Sequence, residues 1–440
     1  MNILVLHGLG PDLSLARGTS VAHLQSFQRH APGHRYLYQD LSTPVTPALR
    51  EFPFDLVLID GTFLCWRWVR PRALLEELQD AYAWLAHHLA VKFAFPQDDY
   101  DHAHVLDRWL DELRVDHVYT VCSRHHEALY PRLSRQPGRL SVALTGYVDE
   151  ELARMERPAI ADRSVLVGYR ARNLPPWFGR LGLAKARLGD CFAELAHGRG
   201  LAGIDVSTDP RDVLLGSAWT RFLQDSRYTL GSESGSSLLD ADGGLREAAE
   251  AYLRQHPDAS FDEVEAAVFP GQDGRHVFSA ISPRLFEAAA LGSCQILLEG
   301  EYLPDMEAGV HYLEIRKDWS NIDVVLDALH DTATAQAVAD ACHSVLIASP
   351  AYRYARRVQD VLGHAERLHI DGRPCGHATA QEFDAMAHDH EVAARALAPM
   401  QAQARQLRQE FAELRERLDD PLVRIAARRA RQFVRRITGH

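Results

Sequence analysis

Long apolar runs are missing from this chain. Nowhere in its 440 residues do the ~18 uninterrupted apolar residues of a membrane-spanning helix occur. The opening MNILVLHGLG has neither the basic lead nor the small-residue cleavage site of a secretory signal, so the chain is expected in the cytoplasm. Cysteine is scarce: Cys65, Cys122, Cys191, Cys294, Cys342 and Cys375 lie far apart and form no C-x-x-C pair. That spacing argues against a disulfide framework or a zinc ribbon and for reduced, mostly buried thiols. Positive charge is also short, with 48 Lys and Arg against 60 Asp and Glu, a net charge of -12. Phosphate-backbone binding needs clustered cations, so nucleic acid is not an expected partner. What is present is an ordinary apolar share, 46%, in a chain too long for one core.

The apolar residues are grouped as strands alternating with helices. NILVLHGLG is a short aliphatic run that leaves through glycines, the pattern of a buried parallel strand, and a helix is expected from about Thr19 to His30. HRYLYQD, FDLVLIDGT, VKFAFPQDDYD, DHVYTVC and RLSVALTGY supply further strands, with a helical stretch from Pro71 to His88 among them. After a helical, proline-containing segment around Glu150 to Pro158, a second series begins: SVLVGYRAR, LAGIDVS, RYTLGSES and SCQILLEG. Alternation of this kind predicts two mostly parallel, doubly wound sheets that bind ligands beyond their strand C-terminal ends. One excursion, from about Gly243 to Arg275, is helical and polar and reads as an inserted subdomain or lid.

Beyond about Pro350 the pattern changes. Leu397, Met400, Ala404, Leu407, Phe411, Leu414 and Leu418 form a heptad seam, which either docks on the chain's own domains or joins a second copy in a homo-oligomer. The closing PLVRIAARRARQFVRRITGH places Leu422, Ala426, Ala430, Phe433 and Ile437 on one helical face and Arg424, Arg428, Arg431 and Arg435 on another. A helix so divided suits an anionic membrane surface, at ~1 kcal/mol per arginine. A solvated basic tail is the plainer reading.

The sharpest local signal is SAISPRLFEAAALGSCQILLEGEYLPDMEAGVHYLEIRKDWSNIDVVLDAL. A proline at the helix start, small residues along it and a glycine at its end describe a helix packed closely on a parallel strand. Its first turn offers N–H groups and a positive dipole end, which suits a diphosphate. This segment, about Ser279 to Leu329, resembles the C-terminal domain of GT-B-fold glycosyltransferases of the bacterial "glycosyl transferases group 1" type, with their R-x-F-E-A-x-A-x-G helix. The topology over Met1 to Asn173 is consistent with it. The resemblance implies that Glu287 binds the ribose hydroxyls of a nucleotide, and that Arg284, with Ser282 beside it, approaches phosphate or sugar. In the best-known form of the motif a second glutamate stands eight positions earlier. Here that position is Ser279, which leaves the hold on the donor sugar and the stereochemistry open.

Two other segments fit the same site. GYRARNLP followed by Lys185 looks like the basic phosphate loop of similar enzymes, in which Arg170 and Arg172 would neutralise a leaving diphosphate. TLGSESGSSLLD gathers Gly231, Glu233, Ser234 and Gly235 just after a strand, where glycine permits close backbone approach and the side chains offer donors and an acid. In the first domain FPQDDYDH places Asp98, Asp99, Asp101 and His102 at a strand end. Asp98 or Asp99 is the preferred base for an acceptor hydroxyl, with His102, His125 and Asp60 behind them. Asp99 and Asp101 have the D-x-D spacing of a metal site, but arginines and a helix dipole serve the same purpose, so no metal and no cofactor are expected.

The expected protein is thus an α/β chain of two Rossmann-like domains, 1–155 for the acceptor and 156–350 for the nucleotide-sugar donor, with an insertion at about 243–275. A helical extension follows over 351–420 and a basic amphipathic tail over 421–440. Its expected activity is metal-independent transfer of a hexose-type sugar to a glycan or lipid-linked acceptor in cell-surface polysaccharide synthesis, peripherally on the cytoplasmic face of the inner membrane. Three rival readings stand beside it. A membrane-tethered scaffold with a degenerate nucleotide-sugar site would not turn over, and a nucleotide-sugar epimerase has no use for the amphipathic tail. An NAD-type oxidoreductase would need G-x-G-x-x-G, which Gly8 and Gly10 begin, with Asp40 in the ribose position; Pro11 and Leu13 break the fingerprint.

Overall fold

The computed structural model describes residues 1–396 except Pro11, Arg17 and Cys375, together with Pro399 and Gln403. The heptad seam and the arginine-rich tail lie outside the described residues. Contacts divide the chain into two compact units, one of Met1–Ser42 with Pro53–Ala378 and one of Thr43–Phe52 with the chain from Thr379 onward.

The larger unit holds two parallel sheets. The first contains β1 (Asn2–His7), β2 (Arg35–Asp40), β3 (Leu56–Asp60), β4 (Val91–Phe95), β5 (His117–Thr120) and β6 (Leu140–Val142) in the order β2-β1-β3-β4-β5-β6. Every pairing is parallel. Strands β1, β3 and β4 are buried along their whole length, which is why they read as mostly apolar runs. The second sheet contains β7 (Val165–Arg170), β8 (Ile204–Ser207) and β9 (Ser226–Gly231), then β12 (Cys294–Leu298) and β13 (Leu313–Ile315). It too is wholly parallel, in the order β13-β12-β9-β7-β8. Between its third and fourth strands a short antiparallel ladder joins β10 (Ser234–Ser236) to β11 (Phe278–Ala280). The segment RYTLGSES is therefore two strands, with Glu233 in the bend between them. Gly235 in this ladder has φ +127°, and a Cβ there would stand 1.9 Å from the Phe278 carbonyl oxygen, so only glycine lets the two backbones close.

The excursion after β10 forms the helices Gly244–Gln255 and Phe261–Val268. Ser260 and Glu263 make a reciprocal capping box on the second. Ala249, Val264 and Phe269 bury themselves in a small core of their own with Leu238, so the insertion folds as a subdomain rather than a loose loop.

The stretch expected to begin a separate extension instead packs against the first sheet. In the helix Tyr354–Ile370, Val358, Val361, Leu362 and Ala365 recur at the spacing of one helical face and join Ile3, Val5, Leu56 and Phe93 in a single core. Arg357, on the same helix, is buried with its guanidinium over Phe27 (4.9 Å) and Phe95 (4.8 Å). It donates to Ser26 Oγ (2.9 Å) and His23 Nε2 (2.8 Å). Burial and this cation hold the His23 pKa well below its usual value, which keeps the ring neutral and able to accept the bond. The returning helix is thus locked to the first domain by packing and by one desolvated cation.

In the smaller unit, a helix over 380–396 begins at Thr379, which exchanges capping bonds with Glu382. Phe383 on that helix meets Phe52 edge-on at 5.7 Å.

Candidate active site

The helix Arg284–Leu291 follows Pro283 and is built of strong helix formers. It stops at Gly292, whose φ of +72° an L residue adopts reluctantly. Leu285, Phe286 and Ala288–Leu291 are buried, and the three alanines let the helix lie close to the sheet. Its start is not sealed. Ser282, Arg284 and Leu285 line an open pocket together with Gly231 at the end of β9, Glu233 just beyond it and Lys185 from the helix Gly179–Gly198. This is the carboxyl end of a parallel sheet, where doubly wound folds bind ligands. The first domain stands opposite: the Thr145 hydroxyl donates to the Ile281 carbonyl, and a Cβ on Gly146 would touch Pro283 at 3.1 Å.

Two cations serve this pocket. Lys185 Nζ donates to Ser234 Oγ at 2.6 Å. Burial, reinforced by the Arg284 charge and partly offset by Asp98, lowers the Lys185 pKa to about 8. Arg284 donates to the Arg170 carbonyl and lies over the Trp219 ring at 5.1 Å. Two carboxylates complete the site. Glu287, one turn into the helix, accepts from the Trp219 indole N–H at 2.8 Å. Burial raises its pKa, while that bond and Arg284 oppose the rise. Glu233 is buried, which raises its pKa against the pull of the Glu301 N–H and the Ser279 hydroxyl. Ser279, the position where the familiar motif carries an acid, is therefore beside an acid that arrives from β9's end.

The other expected donor contacts are placed differently. Arg170 is held by Asp205, through its carboxylate (2.8 Å) and its carbonyl (2.9 Å), and stacks on Phe222 at 4.4 Å. Its guanidinium stabilises the β7–β8 edge, and only its carbonyl touches Arg284. Arg172 is exposed. Gly235 sits in the β10–β11 ladder and shapes the loop behind Lys185.

The acidic segment of the first domain separates sharply. Asp99 is fully buried, bonded to the Thr120 hydroxyl and to Tyr130 Oη at 2.6 Å, so an acceptor hydroxyl cannot reach it. Asp98 is exposed at φ +51° and accepts from Tyr100 Oη at 2.6 Å. It is near enough to the pocket for its charge to act on Lys185. Arg67, buried to 1% exposure, holds this loop by donating to the carbonyls of Gln97 (2.9 Å), Asp98 (2.8 Å) and Asp101 (2.8 Å). His102 is buried, bonds Asp101 Oδ1 through Nδ1 at 2.6 Å and packs against Gly243. His125 packs edge-on against His276 at 5.0 Å, and Asp60 caps the turn after β3 through Thr62. Asp40, the ribose acid of the NAD alternative, accepts from the Gly10 N–H at 2.7 Å.

Asp99 and Asp101 do not converge on one point, since their carboxylates have different partners. Among the described residues, Asp101, His102 and Asp240 bring potential ligand atoms within 4.8 Å of one another. Asp240, however, accepts backbone N–H bonds from Gly243 and Arg246 (2.9 and 3.0 Å), which caps the insertion's first helix. The trio joins the two domains through Ala103 N–H and the Asp240 carbonyl (3.0 Å).

No protein-family model matches the sequence, and no curated protein matches it. Solved structures do. An alpha-glucosyltransferase in complex with UDP and a 13-mer DNA containing an HMU base superposes with a TM-score of 0.50 at 10% identity, over 83% of this chain and 99% of that one. That likeness, with the two parallel sheets described above, shows the GT-B fold. Anabaena HepE in complex with UDP is similar over 83% of this chain and 100% of that one (12% identity, TM-score 0.45). So is a glycosyltransferase from Rickettsia africae, over 83% and 98% (10%, 0.42). Among the described residues no helix is long and apolar enough to cross a membrane.

Proposed function

We propose that the chain transfers a sugar from a nucleoside-diphosphate donor to the hydroxyl of a glycan or lipid-linked acceptor in cell-surface polysaccharide assembly. One observation carries this reading: Lys185, Arg284 and Glu233 line a pocket onto which an electropositive helix start opens, and Glu287 is bonded to Trp219 of the pocket wall. The alpha-glucosyltransferase of the same fold was solved with UDP, which agrees with such a donor. Lys185 and Arg284 would take the charge that develops on the leaving diphosphate without a metal, Glu287 would accept from the ribose hydroxyls, and Glu233 from the sugar. Asp98 would accept the acceptor's proton. Closure of the domains would exclude water and align the hydroxyl with the anomeric carbon. Incubation with a panel of nucleotide sugars tests it: slow release of free nucleotide from at least one is expected, and none from any would reject the reading.

Two consequences are specific. Asp98→Asn should lower kcat on the order of 100-fold, the usual worth of a general base, while donor KM stays within about twofold. Equal kcat in the variant would remove Asp98 from the role. The lowered Lys185 pKa sets the alkaline limb. Its ammonium is present below pH 8 and lost above it, so kcat/KM for the donor should fall as pH rises through about 8. Lys185→Arg should move that limb to higher pH, and a limb that does not move belongs to another group.

The arginine-rich sequence after Leu418 supports peripheral attachment to anionic membrane. Truncation there should free the protein from membrane fractions with its soluble turnover intact; unchanged partitioning would oppose the anchor.

A further inference from the structure

Trp219 is bonded to a residue 68 positions away and to nothing in its own strand–helix unit by the same atom. It is carried by the helix Gly216–Asp225, whose Phe222 and Leu223 anchor it against Leu291. The indole stacks on Phe222 (5.7 Å, 26°), lies beneath the Arg284 guanidinium, lines the pocket and donates to Glu287 Oε2. An indole has one donor and no acceptor, so this bond fixes the carboxylate plane and leaves Oε1 to receive another donor.

We propose that Trp219 is a positioning residue for ribose recognition: its N–H orients Glu287 so that the carboxylate can accept from a vicinal diol, and so selects ribonucleotides over forms lacking those hydroxyls. The inference rests on the donor-site reading above. A carboxylate free to rotate at this place would lose order on binding, whereas one already held meets the diol in a single geometry, and affinity is gained by that preorganisation. Trp219→Phe removes the N–H but keeps an aromatic ring between Phe222 and Arg284.

The test is calorimetric binding of UDP, GDP and ADP, each beside its 2′,3′-dideoxy form, to the full-length wild type, Trp219→Phe and Glu287→Ala. Wild type should prefer the ribose form of at least one nucleotide by 10-fold or more, and Glu287→Ala should abolish the preference. Trp219→Phe should reduce it at least fivefold while the dideoxy affinity holds. An undiminished preference in Trp219→Phe, or equal weakening of both forms, overturns the positioning role. A preference that survives Glu287→Ala, or no binding of any nucleotide to wild type, overturns the donor-site reading and this inference with it.

Discussion

Glu287→Ala should raise the donor KM at least 10-fold, or abolish turnover, in a protein that remains folded. A hydrogen bond to a charged group is worth ~1.5–3 kcal/mol, so losing the acceptor for two ribose hydroxyls is a large effect on binding. The substitution also strands the Trp219 N–H, which costs about 1–3 kcal/mol of stability if water does not replace the carboxylate. Thermal unfolding must therefore accompany the kinetics. Glu287→Gln separates the two effects, because its amide oxygen can still accept from Trp219 while the charge is gone: it should unfold like wild type and still bind donor weakly. Wild-type KM in a folded Glu287→Ala protein would detach this residue from the nucleotide.

Arg284→Ala should act on kcat more than on KM, with a loss on the order of 100- to 1000-fold, the scale seen when one preorganised donor to developing charge is removed. The diphosphate is more negative at its leaving oxygen in the transition state than in the bound donor, so Arg284 counts most there. Arg284→Lys should recover little of it. An ammonium has no planar fork to lie on Trp219 while it donates to the Arg170 carbonyl. A rise in KM with kcat unchanged would instead mark Arg284 as a binding residue alone.

The sheets were legible in the sequence because a parallel strand covered on both faces is mostly apolar, and NILVLH, LVLID and CQILL each hold a run of aliphatic residues with polar ones at or near the ends. The helix Arg284–Leu291 was legible through its proline start and glycine end. Four features were not. Asp98 and Asp99 are adjacent acids in the loop after β4 whose settings differ, Asp98 exposed and Asp99 buried against Thr120 and Tyr130, and composition cannot say which of them faces solvent. The resemblance makes Arg170 a phosphate ligand, but its guanidinium is held by Asp205 on the neighbouring strand, two positions before its own register partner Ser207. Trp219 left no local signal at all. Its contact with Glu287 spans 68 residues and arises only when the helix before β9 lies against the helix before β12. The helix Tyr354–Ile370 showed its apolar face in the sequence, but not that the face returns to the first sheet.

The most direct measurement is a crystal structure of the chain grown with a bound nucleoside diphosphate. The pyrophosphate is expected within hydrogen-bonding reach of Lys185 Nζ and Arg284, at the start of the helix that follows Pro283, with the ribose hydroxyls on Glu287. A nucleotide lodged anywhere else on the chain, with that helix start untouched, would contradict the assignment of the donor site and the chemistry built on it.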